Sequence, residues 1–225
     1  MRDKIAPSMM CADPLSLRQT LETFEASGIE YLHIDIMDGL FVPNYTLGPD
    51  YCKALRRGCN IPLDLHLMVQ SPEDKLDYFA IQQGDMVSVH AESTHHLQRT
   101  LCKIKEKGAA AFVALCPATP LCVLEEVASD IDGVLIMTVN PGFAGQKMIP
   151  ATLDKIRRLR ALYPSLTIEV DGNVSFENAR KMKRAGANIF VVGTASIFGK
   201  DTSLAEGIKT MRKTLEETKR TTPNI

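Results

Sequence analysis

Three stretches of this chain place an imidazole or a carboxylate at the end of an apolar run: Tyr31-Leu-His-Ile-Asp-Ile-Met-Asp-Gly39, Asp64-Leu-His66 and Glu169-Val-Asp171. In an extended strand, residues two apart point to the same side. His33 and Asp35 therefore share a face, while Leu32, Ile34 and Ile36 occupy the other. Imidazoles and carboxylates buried among aliphatic side chains are costly unless something pairs them. A divalent metal does so, and the donor set His33, Asp35, His66 and Asp171 suits Zn, Mn, Fe or Co. Asp64 stands below His66, and Glu169 below Asp171. Each either orients a ligand from behind or is a plain interior acid. His90 either lines this site or is structural, and His95 and His96 read as surface residues.

A second set of residues suits an anion. Three glycine-bearing turns follow the last three apolar runs: Pro141-Gly-Phe-Ala-Gly-Gln146, Asp171-Gly-Asn173 and Gly193-Thr-Ala195. Glycine lets the backbone approach a ligand, and helix N-termini aim amides at a phosphate, so such a grip needs no Lys or Arg. A metal, two carboxylates on opposite sides of a pocket and a phosphate anchor suit proton abstraction next to the ketone of a sugar phosphate. Asp35 would act on one face of the carbon and Asp171 on the other. Met37, Met68 and Met137, just past strand ends, are either core filler or an apolar wall that keeps water off the intermediate. The turn at 140–150 has the glycines of a lid.

The elements that must position these groups alternate along the chain. Strands are expected at Ile5–Ser8, Tyr31–Ile36, Leu63–Leu67, Met86–His90, Ala111–Leu115, Gly133–Thr138, Thr167–Val170 and Ile189–Val192. Most are apolar on both faces, as in a parallel sheet covered by helices. Between them, Asp13-Pro14, Ser71-Pro72 and Thr119-Pro120 each read as an N-cap followed by proline at a helix start. Pro150 opens a helix with the stripe Leu153, Ile156, Leu159 and Leu162. Ser175 caps another helix that Gly186 ends, and a last helix spans about 203–217. Only 49–57 reads as a looser segment. Eight β–α units predict an α/β fold, a single (β/α)8 TIM barrel over residues 1–225, with an open doubly wound sheet as the alternative. Polar residues ending strands around the whole series favour the barrel.

Composition narrows the class. Lys+Arg total 26 against Asp+Glu 27, and no basic run suggests nucleic acid or an anionic membrane. The six cysteines form no Cys-x-x-Cys pair and read as reduced, mostly buried thiols of a cytoplasmic protein. No apolar run approaches the ~20 residues needed to cross a bilayer. The end from Lys219 reads as a frayed tail.

The residues above, with Ala6-Pro-Ser8, Phe41-Val-Pro-Asn44, His66-Leu-Met-Val69, Pro117-Ala-Thr-Pro120, Val139-Asn-Pro-Gly-Phe143 and Val170-Asp-Gly172, closely resemble the ribulose-phosphate 3-epimerase family along nearly the whole chain. The resemblance implies a ribulose-phosphate-binding barrel holding one divalent ion on His33, Asp35, His66 and Asp171. It implies Asp35 and Asp171 as the acid/base pair, with Ser8, His66 and Asp171 contacting substrate. Gly142, Phe143, Ala144, Gly145, Gly172, Asn173, Gly193 and Thr194 would hold the phosphate. The implied reaction interconverts ribulose 5-phosphate and xylulose 5-phosphate, and barrels of this kind often associate into homo-oligomers. Four positions depart from the family pattern. Ala144 and Asn173 replace glycines, Thr194 replaces serine and Cys116 replaces asparagine. Phe-Ala-Gly-Gln and Gly-Thr also resemble the allulose-6-phosphate 3-epimerase branch, so the hexulose phosphate is the alternative substrate. A related decarboxylase would show Asp-x-Lys-x-x-Asp at a strand end, and a Schiff-base aldolase a strand-end lysine. Neither is present. A non-catalytic sugar-phosphate binding barrel would not need acids on two sides.

Overall fold

The structure, a computed structural model, describes residues 2–199 and 202–220. Eight parallel strands, β1 (Lys4–Pro7), β2 (Leu32–Met37), β3 (Leu63–Met68), β4 (Met86–His90), β5 (Ala110–Leu115), β6 (Gly133–Met137), β7 (Thr167–Asp171) and β8 (Ile189–Val192), pair in the order β1-β8-β7-β6-β5-β4-β3-β2. A parallel bridge between Ser8 and His33 joins the first strand to the second and closes the ring. The result is the expected (β/α)8 barrel.

Strand alternation sorts the side chains. Ile34, Leu65, Val89, Val113, Ile136, Val170 and Phe190 face outward into the main core, where they meet Leu21, Phe24, Leu55, Leu101, Ile156, Met182 and Met211 from the helices. The opposite faces line the barrel interior. Ala6, Met86, Phe112 and Ile189 pack together there as a separate apolar cluster. A Cβ on Gly133 would sit 2.3 Å from the Phe112 ring, so the glycine leaves space for that ring. Polar groups occupy the remaining interior: His33, Asp35, Asp64, His66, Ser88, His90 and Glu169 are all buried.

The helices are α1 (Leu17–Ala26), α2 (Pro49–Gly58), α3 (Leu97–Glu106), α4 (Ala151–Leu162), α5 (Phe176–Ala185) and α6 (Leu204–Glu217). Ser175 caps α5 as expected and Gly186 ends it at φ +119°, while Ser203 caps α6 in a capping box with Glu206.

Several expectations need correction. The segment 49–57 is not loose: it is α2, opened by Gly48-Pro49 and buried through Cys52 and Leu55. The starts at Ser71 and Thr119 lead only to 3-10 turns, Pro72–Asp74 with Leu76–Tyr78, and Leu121–Val127. Ser71 has a left-handed backbone, φ +49°, and its side chain makes no cap. Leu162 belongs to α4 but is 61% exposed, because the apolar stripe ends at Leu159. Of the six cysteines, only Cys52 and Cys59 are buried. The expected frayed end is anchored at Arg220, whose guanidinium bonds the Asp3 carboxylate and the Ala187 carbonyl. Residues 221–225 lie outside the described residues.

Candidate active site and metal centre

The strand register brings the chemistry-bearing residues together. Asp35 on β2 stands beside His66 on β3, and His33 beside Asp64. Asp171 ends β7, and Met37, Met68 and Met137 are the last residues of β2, β3 and β6 rather than lying past them. One donor atom from each of His33, Asp35, His66 and Asp171 falls within a set no more than 4.8 Å across.

Hydrogen bonding shows that a cation fits there. Nδ1 of His33 bonds Asp64, which turns Nε2 toward Asp35. That nitrogen is buried without a hydrogen-bond partner and lies 3.3 Å from Oδ1 of Asp35. Nδ1 of His66 lies 3.3 Å from the same Asp35 oxygen and 3.9 Å from Oδ2 of Asp171. Carboxylate oxygens only accept, so each of these nitrogens needs a proton or a cation between it and the carboxylate. The set therefore fits a borderline divalent ion. Asp64 supports the ring of His33, not that of His66. The far nitrogen of His66 is instead 2.9 Å from Nε2 of His90, so His90 belongs to the site's surroundings. His95 and His96 are exposed.

The charges differ sharply within this small volume. Burial alone would raise Asp35, but His33 and His66 outweigh it and hold the carboxyl far below the usual carboxylate range. Burial and then the Asp35 charge push Asp171 up to about 7. Burial and the Asp64 charge likewise push Glu169, 3.6 Å from Nδ1 of His33, well above its ordinary value. Against the cost of burial, Asp64 and Asp35 raise His33 well above the ordinary imidazole value.

Beside these groups opens a cavity of about 270 Å³. Its walls include Ser8, Met37, Met68, Met137, Gly142 to Gly145, Gly172, Asn173, Gly193 and Thr194. The phosphate turns thus meet the carboxylates in one cavity. Gly172 is needed there. Its φ is +115°, and a Cβ would meet Val139 at 2.6 Å and Thr138 at 2.9 Å. Asn173 has φ +49°, a left-handed conformation that asparagine tolerates better than most residues. That explains how it stands in for glycine. Its carbonyl and side-chain oxygens both accept from Asn178 Nδ2, at 3.0 and 2.8 Å. Ala144 does not have a positive φ, so a glycine there is not required.

Sequence reasoning missed several participants. Cys11 and Asn140 line the cavity. Thr138 Oγ1 donates to the Asp171 carbonyl at 2.9 Å and pins the turn that carries the acid. Asn44 Nδ2 donates to the Gly142 carbonyl at 2.7 Å and ties the loop after β2 to the loop after β6. Thr46 bonds the Asp35 carbonyl. Thr138, Asn44 and Thr46 each bond, through the side chain, backbone 11 to 98 residues away, for which spacing gives no signal.

Comparison with known proteins agrees with this geometry. The sequence model of the ribulose-phosphate 3 epimerase family matches residues 4–198. The chain is 46% identical over 197 residues to the ribulose-phosphate 3-epimerase of Bacillus subtilis (strain 168), covering 85% of this chain and 91% of that one. It is 44% identical over 216 residues to the chloroplastic ribulose-5-phosphate-3-epimerase of Arabidopsis thaliana, covering 93% and 77%. Among solved structures, KGPDC from Streptococcus mutans shares the fold, with TM-score 0.73 and 11% identity over 96% of this chain and 98% of that one. On the family match and these identities, the chain belongs to the ribulose-phosphate 3-epimerase family.

Proposed function

We propose that this chain is a metal-dependent epimerase that inverts C3 of a ketose phosphate, interconverting ribulose 5-phosphate and xylulose 5-phosphate. The observation that carries the reading is the convergence of Asp35 and Asp171, from β2 and β7, at the wall of one glycine-lined cavity. His33, Asp35, His66 and Asp171 would hold a divalent ion, Zn, Fe, Mn or Co. When bound, such an ion polarises the ketone and stabilises the negative charge of the enediolate.

The protein's own groups supply the rest. Asp35, ionised, takes the C3 proton from one face. Asp171 gives a proton to the opposite face, and the two exchange roles in reverse. Ser8 donates to Asp35 at 2.8 Å and fixes its orientation. Backbone amides of the turns at Gly142–Gly145, Gly172-Asn173 and Gly193-Thr194 receive the phosphate without a basic side chain, and Met37, Met68 and Met137 close an apolar wall around the carbon.

Solvent deuterium exchange into C3 of ribulose 5-phosphate tests this. Epimerisation is expected to fall at least ~10²-fold in Asp35→Asn and in Asp171→Asn, with melting curves still cooperative. Full turnover in either variant would remove the two-base mechanism. Measuring kcat/KM for allulose 6-phosphate beside the pentulose reports substrate choice, and a higher value for the hexulose would reassign it. Light scattering tests the expected homo-oligomer. The family's chemistry suits the cytoplasm, and among the described residues no helix is long and apolar enough to cross a membrane.

A further inference from the structure

The cluster His90, Glu92 and Cys116 lies behind the proposed metal ligands and takes no part in the mechanism above. Its donor atoms lie within 4.8 Å of one another, close enough for a second ion. The hydrogen bonding argues for a different role. Both Glu92 oxygens are engaged. Oε1 accepts from the Cys116 amide at 2.9 Å and from the Thr119 hydroxyl, and Oε2 lies 3.3 Å from Nδ1 of His90. A carboxylate cannot donate, and the Cys116 sulfur on the same nitrogen is a weak partner at 3.5 Å, so His90 carries its hydrogen on Nδ1 toward Glu92 and leaves Nε2 bare. Nε2 of His90 is 2.9 Å from Nε2 of His66, so His66 must donate and carry its own hydrogen there. The remaining lone pair of His66 is then on Nδ1, 3.3 Å from Oδ1 of Asp35 and 3.9 Å from Oδ2 of Asp171, a placement that holds when a cation lies between them.

We infer that His90 and Glu92 are positioning residues that fix the tautomer of His66, presenting its Nδ1 lone pair to the metal. Glu92 sets His90, and His90 sets His66. The two rings lie 28° from parallel with centroids 5.1 Å apart, and Phe41 packs on the outer side of His90 at 4.7 Å. The same chain excludes a second ion while the first is held. Binding at Nδ1 of His90 would move its hydrogen to Nε2, where it would oppose the hydrogen of His66. This inference rests on the metal reading of the site, and the experiment separates the two.

The first measurement uses the zinc-loaded protein with ¹⁵N-labelled histidine. Long-range ¹H–¹⁵N spectra assign the ring hydrogens directly. The expected result is hydrogen on Nε2 of His66 and on Nδ1 of His90, and hydrogen on Nε2 of His90 would overturn the relay. A protein that takes up no zinc would instead sink the metal reading. The second measurement compares His90→Gln with His90→Phe by zinc competition against a chromogenic chelator. Glutamine can accept from His66, whereas phenylalanine keeps the ring packing and loses the acceptor. The expected zinc affinity falls 10–100-fold in the phenylalanine variant and less in the glutamine variant, with activity recovering in excess zinc. The reverse order would show that His90 matters only for packing. Cobalt titration closes the alternative. One cobalt per chain without thiolate absorption supports the relay, and two with a cobalt–thiolate band would make the cluster a second site.

Discussion

Ser8 and Asp35 meet across the seam that closes the barrel, with the serine hydroxyl 2.8 Å from Oδ2 of the carboxylate. The same two strands touch through the isolated bridge from Ser8 to His33. The proposed base is therefore oriented by the residue that completes the ring. A hydrogen bond to a charged group contributes ~1.5–3 kcal/mol. Ser8→Ala is expected to lower kcat/KM about 10–100-fold while the melting temperature moves by only a few degrees. Steady-state kinetics beside calorimetry checks this, and unchanged kcat/KM would remove Ser8 from the site.

Metal removal should cost both activity and stability. His33 Nε2, buried without a hydrogen-bond partner, and His66 Nδ1 both face carboxylate oxygens, an arrangement that suits a bound cation. Ligand at ~100 times its Kd adds about 2.7 kcal/mol, of order 5–10 °C for a chain of this size. Dialysis against a chelator should abolish turnover and lower the melting temperature by that amount, and stoichiometric Zn²⁺, Mn²⁺, Fe²⁺ or Co²⁺ should restore both. An unmoved melting curve would count against a site in the barrel mouth.

Asn173 offers a backbone test. Its φ of +49° suits asparagine or glycine. A left-handed alanine costs roughly 1–2 kcal/mol. Asn173→Ala should therefore lose about that much stability and raise KM for the phosphorylated substrate, and Asn173→Gly should be close to neutral. Urea denaturation distinguishes them. Equal stability of the two variants would show that the turn rearranges freely.

Glu92 gives a pH signature. Burial would raise its carboxyl, but hydrogen bonds from His90, Thr119 and the Cys116 amide outweigh that and set it at about 2. Its value in the folded chain is depressed. The stabilisation it brings is thus present above the unfolded value, near 4.3, and is lost as pH falls toward 2. After screening by solvent this amounts to ~1 kcal/mol, or about 2–4 °C. The melting temperatures of wild type and Glu92→Gln should differ at pH 6, converge between about pH 4.5 and 2, and coincide below. A gap that widens on acidification would contradict the assignment.

The candidate site was more legible in the sequence than its surroundings, for a physical reason. His33, Asp35, Asp64, His66, Glu169 and Asp171 are visible because a strand repeats every two residues, so polar groups at that spacing among aliphatics must share the barrel interior. The glycine turns were legible because Gly142 and Gly172 need positive φ. Helix α2 was not, because it lacks a side-chain N-cap and buries only Cys52 and Leu55. Ser71-Pro72 and Thr119-Pro120 mark where a turn starts without fixing how far it winds. The supports of the site, His90 beside His66 and Asn44 on Gly142, act across 24 and 98 residues of sequence, and only the folded chain brings them into contact.

Phe112, occupying the space that Gly133 leaves free, forms with Met86, Ile189 and Ala6 an apolar floor beneath the reacting groups. Any hydrogen that Asp35 or Asp171 trades with bulk solvent must then travel by the same opening through which the sugar enters. While substrate covers that opening, the abstracted hydrogen stays with its captor, and the ratio of isotope washed out to product formed becomes a clock for how long the entrance remains shut.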